Sequence, residues 1–304
     1  MPLIKSNQPH QYRAFGLNIS CDWSMFQLPE HSFCQTDVDV TIIEKSITDP
    51  RFNLSEQGNH FQVRGQCALI KIPSVANFLI SDGSLITVDI NPKCDRQTIN
   101  LYLLGSALGS IMHQRSILPL HGNSVSINSN AIIVAAHSGV GKSTLASEFY
   151  RRGYSLLSDD VCALDNNNHI HPSYPYLKLW QDAVDRLNID ATKITRITAQ
   201  KEKFYVPLGT QFKASSLPLK SVYIVTRDGA LSSPKIEPLK GLKKLVMLRP
   251  HIYRLEYLQK LKSGAPAMDI MMKKLNSTPI FHITRPAKGM HVQQIAGLIL
   301  KNER

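Results

Sequence analysis

A glycine-rich stretch in the middle of the chain combines the residue types that bind phosphate groups. Residues 136–143 read Ala-His-Ser-Gly-Val-Gly-Lys-Ser and follow an apolar run, residues 131–135. Glycine tolerates the positive backbone angles of a concave loop whose amides face an anion, and a following helix directs its positive end to the same place. The stretch departs from the P-loop pattern G-x-x-x-x-G-K-[ST] at Ala136, which replaces the first glycine. It therefore predicts a nucleotide-binding loop.

The polar residues of this loop have expected roles. Lys142 would reach the outer phosphates, and Ser143 would supply a hydroxyl to Mg²⁺. The candidate nucleotide-binding residues are Ser138, Gly139, Val140, Gly141, Lys142, Ser143 and Thr144. A chance Gly-Lys-Ser turn is the alternative, and the predicted strand before the loop and helix after it argue against that alternative.

Two neighbouring carboxylates follow at a distance that suits phosphoryl transfer. Asp159 lies seventeen residues after Lys142, beyond a predicted helix at 144–152 and an apolar strand at 154–157, and Asp160 follows it. If that strand returns beside the P-loop strand, both carboxylates lie near Mg²⁺ and the terminal phosphate. There one acid can hold the metal and the other can take a proton from an attacking hydroxyl. The alternative is a polar turn at the end of a strand.

A histidine upstream of the loop is a further candidate. His121 precedes the alternating positions Val125 and Ile127, which lead into the P-loop strand. A hairpin-like geometry would bring it back to the phosphate site. A lone histidine is more often structural than catalytic, so the interest of His121 depends on its neighbours.

Taken in this order and spacing, His121, residues 138–143 and the pair Asp159-Asp160 resemble the catalytic domain of the HPr kinase/phosphorylase family of bacterial serine kinases. The resemblance is close over about residues 115–165 and vaguer beyond.

Three other segments resemble one branch of that family more narrowly. Residues 12–17, 103–108 and 113–115 look like those of stand-alone kinases found with modified-peptide pathways, including the kinases that phosphorylate lasso peptide precursors. The partner implied is therefore a peptide or small protein, with a lasso peptide precursor as one such acceptor. The family relatives form hexamers, which leaves a homo-oligomer open for this chain.

The resemblance also implies roles for individual residues. Lys142 and the loop amides would bind the β and γ phosphates of ATP, and Ser143 with Asp160 would hold Mg²⁺. Asp159 would be the general base for a serine hydroxyl, and His121 would lie beside the transferring phosphoryl group.

The chain departs from the family pattern downstream of the acids. The family carries a Glu-x-Arg-Gly signature in about the region where residues 176–180 read Tyr-Leu-Lys-Leu-Trp. No glutamate is present there to complete a metal shell, although Lys178 could keep a cationic role. The reverse, phosphorylase activity of the family is accordingly not carried over to this chain.

Two further cations are candidates for contact with the nucleotide. Lys203 precedes a strand-like segment and could reach a phosphate, with an exposed structural lysine as the alternative. Arg285 follows the strand-like residues 280–284, where it could stabilise charge on the transferring group or form a structural salt bridge.

Composition limits the class of protein. The chain has 304 residues, of which 43% are hydrophobic and 19% charged, as is ordinary for a globular protein. Its five cysteines are scattered without a Cys-x-x-Cys pair, which favours a reducing, cytoplasmic location over a disulfide or metal framework. The first ten residues lack a signal-peptide core. Residues 97–114 lack acidic and lysine side chains, but their polar interruptions favour a buried helix over a membrane span.

The net charge of +12 is uneven along the chain. Residues 240–274 contain nine Lys and Arg against two acidic residues. That pattern is typical of a solvated outer helix face, and it would also steer an acidic peptide towards the protein. No nucleic-acid motif accompanies the charge, so binding of nucleic acid is not expected.

The pattern of elements predicts an α/β fold: a P-loop kinase core of the HPr kinase type with a small β-rich N-terminal domain. The domains are expected at 1–95 and 96–304. Predicted elements are strands at 38–43, 61–63, 67–72 and 85–90, a helix at 99–114, core strands near Val125, Ala131, Leu156, Cys162 and 222–226, and several C-terminal helices.

These features together predict an ATP-dependent serine kinase that acts on a peptide or small protein. A small-molecule kinase is the first alternative, because compact metabolite kinases place an acid at a similar distance from the P-loop lysine. The second is a nucleotide-binding regulator without chemistry.

Overall fold

The computed structural model describes residues 9–54, 60–198, 201–261, 271 and 273–304. The chain divides into two compact units, Met1–Arg115 and Ser116–Arg304. This boundary lies twenty residues beyond the expected one at 95–96, because the helical segment that follows residue 95 packs within the N-terminal unit. Trp23 Nε1 donates a hydrogen bond to Asn100 Oδ1 over 2.9 Å, and the amide of Gly83 donates to Gln114 Oε1 over 2.7 Å.

The N-terminal unit is built on a mixed sheet. The described strands are β1 (His10–Ala14), β2 (Leu17–Cys21), β3 (Val40–Glu44), β4 (Phe61–Arg64), β5 (Cys67–Ile72), β6 (Ala76–Ser81) and β7 (Leu85–Ile90). Their order is β1-β2-β3-β7-β6-β5-β4, with β3 parallel to both β2 and β7 and the other pairs antiparallel. The β-rich character expected for this part of the chain is confirmed.

A helical segment completes this unit. Helix α1 (Arg96–Tyr102) begins after Asp95, whose carboxylate accepts from the amide of Thr98, and a π turn joins it to α2 (Leu108–Gln114). The apolar side chains of the segment are buried, as Leu104 and Ile111 illustrate. Within the described part of the chain, no helix has both the length and the apolar character needed to cross a membrane.

The C-terminal unit combines helices with a larger sheet. Its described strands are β8 (Leu118–Ile127), β9 (Asn130–Ala136), β10 (Leu156–Ser158), β11 (Val161–Leu164), β12 (His169–His171), β13 (Tyr176–Trp180), β14 (Thr195–Thr198), β15 (Lys201–Pro207), β16 (Leu217–Asp228), β17 (Lys235–Pro238) and β18 (Ile280–Pro286). Its described helices are α3 (Lys142–Arg151), α4 (Gln181–Arg186), α5 (Gly241–Leu248), α6 (Leu255–Leu261) and α7 (Val292–Asn302).

Parallel strands form the centre of this unit. Strand β16 lies between β9 and β18 and is parallel to both. Helices α3 and α7 follow β9 and β18, and both bury apolar residues, such as Phe149 and Ile299, in one core with the sheet. Parallel strands covered by helices are the hallmark of an α/β protein, so the predicted fold class is confirmed. The carboxyl ends of β9 and β18 lie at the same edge, where ligands of open α/β sheets bind.

A small antiparallel sheet, β13-β15-β14, packs on the same core. Its strand pairing places Leu179 opposite Phe204 and Trp180 opposite Lys203. Because side chains alternate along a strand, Leu179 and Phe204 enter the core, whereas Lys178, Trp180 and Lys203 share the other face. That face carries side chains to the edge where the P-loop lies.

Candidate active site

The loop between β9 and α3 uses the backbone freedom of its glycines. Gly139 and Gly141 have positive φ angles of 79° and 107°, and helix α3 begins at Lys142, two residues before the expected start. Ser138 is exposed, whereas Val140 is buried in the core and can offer a ligand only its backbone. Ser143 and Thr144 are half-buried in the first turn of α3. The loop therefore directs backbone amides and a helix N-terminus to one place.

Lys142 lies directly between this loop and the acid pair. Its Nζ is 3.1 Å from Asp160 Oδ1, and its side chain is only 7% exposed. Asp160 follows β10 with a left-handed φ of 68°, which turns its side chain out of the strand direction. The side chain of Asp160 is 21% exposed, so this carboxylate lies in a wall of the site and is still reachable from solvent.

A second lysine contacts the other oxygen of the same carboxylate. Lys178 Nζ lies 3.2 Å from Asp160 Oδ2 and 5.5 Å from the ring centroid of Tyr174. Burial of Asp160 favours its neutral form, but Lys142 and Lys178 outweigh burial and hold the pKa of Asp160 well below its usual range. Burial also opposes the charge on Lys178, and there Tyr174 and Asp160 prevail and raise its pKa well above the ordinary value.

Asp159 occupies a very different environment from its neighbour. It is 1% exposed, its Oδ1 accepts a hydrogen bond from Asn123 Nδ2, and its Oδ2 accepts from the amide of Lys178 over 2.7 Å. Burial, followed by the charge of Asp160, raises the pKa of Asp159. The two acids that are adjacent in the sequence thus have different contacts: Asp159 accepts from the amide of Lys178 on β13, and Asp160 faces Lys142.

His121 is next to this acid pair, on β8. Its Nδ1 lies 2.9 Å from the backbone oxygen of Asp160, and its residue pairs with Val161 across the strands. Burial, followed by the charge of Lys142, lowers the pKa of His121 to about 4. A carbonyl can only accept, so in the neutral ring Nδ1 carries the proton and Nε2 has the free lone pair.

Lys203 reaches the site from β15. It is half-buried, its Nζ lies 5.8 Å from the ring centroid of Trp180, and its charge contributes to the lowered pKa of Asp160. The structure therefore brings together Lys142, Asp159, Asp160, His121, Lys178 and Lys203.

Arg285 is placed differently from the expectation that it faces the nucleotide. It is 2% exposed, and it donates from Nε to Val140 O over 3.0 Å and from Nη1 to Pro286 O and Gly289 O. These bonds to backbone carbonyls connect the end of β18 to the P-loop. Arg285 is therefore a positioning residue in this structure, since its guanidinium is directed to backbone carbonyls of the loop, of the last residue of β18 and of the segment after it.

A turn that the sequence did not indicate, residues 249–251, lies beside the loop. Residues Arg249–His251 form a 3-10 turn, after which Ile252 bridges Leu120 and the amide of Tyr253 donates to Pro119 O. The rings of His137 and His251 are 4.8 Å apart.

An aromatic residue just after this turn contacts the site. The ring centroid of Tyr253 lies 6.0 Å from that of His121. The sequence shows no periodicity that would link residues 249–253 to β8, because the contact is made between distant segments.

The residues present fit a magnesium ion in part. Mg²⁺ commonly takes one or two protein oxygens and completes its octahedral shell with phosphates and water. Asp160 offers a partly exposed carboxylate and Ser143 a hydroxyl at the start of α3, which is such a minimal set. Among the described residues no group of three or more His, Cys, Asp or Glu side chains is placed to hold a metal ion.

Comparisons with known proteins add little to this geometry. No protein-family model matches the chain, and no curated protein matches it. Among solved structures, the Hpr(Ser) kinase/phosphatase from Coxiella burnetii is similar at 12% identity over 60% of this chain and 89% of that chain, with a TM-score of 0.34. Identity at this level concerns the fold alone, and a TM-score this low carries no weight for function.

Proposed function

We propose that this chain is an ATP-dependent kinase that transfers the γ-phosphoryl group to a serine hydroxyl of a peptide or small protein. The observation that supports the proposal most directly is the 3.1 Å contact between Lys142, at the end of a glycine-rich loop, and Asp160. Such a loop binds phosphates, and a carboxylate beside its lysine can meet a metal ion or an acceptor hydroxyl. A serine acceptor, and a lasso peptide precursor in particular, is proposed from the sequence resemblance alone.

The loop and its lysine would bind the nucleotide. The amides that precede Lys142 and the N-terminus of α3 would surround the β and γ phosphates, and Lys142 would exchange its contact with Asp160 for a contact with them. Ser143 and Asp160 would hold Mg²⁺, which when bound neutralises charge on the phosphates.

Asp159 and Asp160 would have different roles in phosphate transfer. The resemblance makes Asp159 the base, but its burial and its two hydrogen bonds favour Asp160 as the carboxylate that meets the reacting groups. We therefore assign to Asp159 the positioning of β13. Asp160 would accept the proton that the acceptor hydroxyl loses as its oxygen bonds to the γ-phosphorus and ADP leaves, and Lys178 would hold Asp160 from the side opposite the loop. His121 would shield the transferring group from water beside Asp160.

The decisive experiment measures phosphate transfer directly. The purified chain is incubated with Mg²⁺, γ-labelled ATP and peptides encoded by neighbouring genes, and the label is located by mass spectrometry. We expect label on a serine, and ATP consumption that rises when the acceptor is added. In a parallel incubation with a mixture of small-molecule metabolites in place of the peptides, label on a metabolite would indicate the small-molecule kinase. ATP binding without consumption in either incubation would indicate the regulator.

A matched pair of variants controls this experiment. Lys142→Met should weaken ATP binding about tenfold or more, because a charge-assisted hydrogen bond to phosphate is lost. Lys301→Met removes an exposed lysine of α7 and should leave binding and transfer unchanged. Equal behaviour of the two variants in calorimetric titrations with ATP would contradict the proposed nucleotide site.

A further inference from the structure

The contacts around Asp160 define two sides of the site. Lys142, which belongs to the P-loop, contacts Oδ1, whereas Lys178 contacts Oδ2 from β13. Phosphoryl transfer is in line, so the acceptor must approach the γ-phosphate from the side opposite the leaving nucleotide. If the P-loop binds the nucleotide, the acceptor side is the one that β13 and β15 provide.

An exposed aromatic side chain marks that side. Trp180 is 50% exposed, although its strand neighbour Leu179 is completely buried. Trp180 lies on the same face of the sheet as Lys178, two residues away, and directly opposite Lys203 on β15. A half-exposed tryptophan beside a catalytic centre offers a large apolar surface of the kind that is enriched at binding sites.

The charge around this aromatic group is positive. Lys203 Nζ lies 5.8 Å from the ring centroid of Trp180, on the face of the small sheet that also carries Lys178, whose Nζ contacts Asp160. The whole C-terminal unit is basic: residues 116–304 contain 26 Lys and Arg against 13 Asp and Glu, whereas residues 1–115 contain 9 against 10. The excess charge of the protein is therefore on the unit that carries the site, where it would attract an anionic partner.

We propose that Trp180 and Lys203 form the acceptor platform of this enzyme, which binds an acidic peptide segment next to the hydroxyl that is phosphorylated. The ring of Trp180 packs on the apolar part of the segment, and Lys203 pairs with a carboxylate close to the acceptor residue. This inference rests on the proposed kinase function and adds the chemistry of the substrate to it. A peptide is favoured over nucleic acid because the platform adjoins a site for transfer to a side-chain hydroxyl.

The test uses synthetic nine-residue peptides on the full chain. Three fluorescein-labelled peptides have alanine at the centre and Glu, Gln or Lys at the flanking positions, and their binding is followed by fluorescence anisotropy with a non-hydrolysable ATP analogue. We expect the Glu peptide to bind about tenfold more tightly than the Gln peptide, and the Lys peptide more weakly still. Binding of the Glu peptide should also change the tryptophan emission of the protein, because Trp180 is exposed whereas the other tryptophan, Trp23, is buried in the N-terminal unit.

Variants assign the effect to the platform. Lys203→Gln and Trp180→Leu should each raise the Kd of the Glu peptide about fivefold to tenfold, and Trp180→Phe should restore most of the affinity. Lys235→Gln removes an exposed lysine of β17 and is the matched control. Lys203→Glu should abolish the preference for the Glu peptide over the Lys peptide.

The proposal is overturned if no peptide binds, if the three peptides bind equally, or if Lys203→Gln and Lys235→Gln weaken binding alike. It is also overturned if an oligouridylate binds more tightly than the Glu peptide and loses affinity in the Trp180→Leu variant.

Serine-centred versions of the peptides separate this inference from the proposed function. Binding of the Glu peptide without labelling would leave the platform standing and contradict the kinase. Labelling that ignores the flanking charge would support the kinase and reject the platform.

Discussion

Lys142 and Asp160 form an ion pair at the place where a nucleotide would bind, so the resting contact and the bound contact compete for the same ammonium group. Lys142 Nζ lies 3.1 Å from Asp160 Oδ1, and both groups are largely removed from solvent. Under the proposed function, the Lys178 ammonium, 3.2 Å from Asp160 Oδ2, would stay with Asp160 when Lys142 turns to the phosphates. This arrangement predicts that the two acids respond differently to loss of charge.

Asp160→Asn and Asp159→Asn should therefore have opposite signatures. Asp160→Asn removes the competitor of Lys142, so ATP without metal should bind about tenfold more tightly, whereas phosphate transfer should fall by about two orders of magnitude. In Asp159→Asn one carboxylate oxygen is replaced by an NH₂ group, which then faces another donor, either Asn123 Nδ2 or the amide of Lys178. This change should lower the free energy of unfolding by about 1–3 kcal/mol and leave ATP affinity unchanged. Calorimetric titration and urea unfolding measure both effects. Normal transfer by Asp160→Asn would reject the assignment of that residue.

His251 predicts a pH dependence of stability. It is 2% exposed, and burial, followed by the nearby His137, lowers its pKa to about 4. An unfolded histidine titrates near 6.5, so between pH 6.5 and 4 the unfolded chain binds more protons, and stability falls as the pH falls through that window. At pH 5 the loss is about 2 kcal/mol for this residue.

Urea unfolding at pH 7 and pH 5 tests this dependence. The difference in unfolding free energy between the two pH values should be smaller in His251→Gln than in the unchanged protein. His121 has a similarly lowered pKa and supplies part of the dependence that persists. An identical pH dependence in both proteins would show that His251 is not kept neutral by the fold.

At the scale of elements, the P-loop depends on the segment that follows β18. Arg285 donates to the carbonyl of Val140, and Met290 Cε lies 2.7 Å from the position where a Cβ on Gly141 would be placed. The end of one parallel strand thus supports the loop at the end of another, which is possible because the carboxyl ends of β9 and β18 share an edge.

Gly141→Ala should disturb this support. Its φ of 107° strains any residue with a side chain, and the added methyl group meets Met290. We expect a loss of about 1–3 kcal/mol in unfolding free energy together with weaker ATP binding. Gly153→Ala is the matched control, because its φ of 85° causes strain whereas nothing lies within 4 Å of its Cβ.

The control should lose stability and retain ATP affinity, and adding Met290→Ala to Gly141→Ala should recover part of the loss. If Gly141→Ala bound ATP as tightly as the control does, the left-handed glycine would have no role in the nucleotide site.

At the scale of the whole molecule, the residue that follows helix α7 is attached to the central strand β16 of the C-terminal unit. Glu303 is 2% exposed, and its carboxylate accepts from the hydroxyls of Ser221 and Tyr223 and pairs with Lys220 Nζ over 2.9 Å. Burial favours the neutral acid, but these donors outweigh burial and lower the pKa of Glu303. The stabilisation that Glu303 contributes is therefore complete above the pKa of about 4.5 that its carboxyl group has in the unfolded chain. It is lost as the pH falls through the lower pKa of the folded state.

Glu303→Gln should lower the unfolding free energy of the C-terminal unit by about 1–3 kcal/mol at pH 7, because charge-assisted hydrogen bonds are weakened. This loss of unfolding free energy should be smaller at pH 4 than at pH 7. Lys301→Gln, on the exposed face of the same helix α7, is the control. Calorimetry at pH 7 and pH 4 measures both variants, and equal melting temperatures at pH 7 would contradict the role of Glu303.

Much of the architecture follows from local pattern, because alternation and turn chemistry operate over a few residues. The predicted runs at 67–72 and 85–90 coincide with β5 and β7. The hairpin β1-β2 turns at Phe15-Gly16, both with positive φ, and was missed because only the glycine signals such a turn. Strand β6 and the position of the boundary after Arg115 were missed as well, since both depend on pairing and packing.

The sequence by itself determined the glycine-rich loop between strand and helix, the acid pair and the α/β class, since glycine conformation, residue spacing and apolar period are local properties. Only the tertiary structure decided which acid faces Lys142, that Arg285 donates to the backbone of the loop, and that Trp180 lies opposite Lys203. Those relations join residues far apart in the chain. They arise from strand pairing and from the balance of burial against charge, which no local pattern encodes.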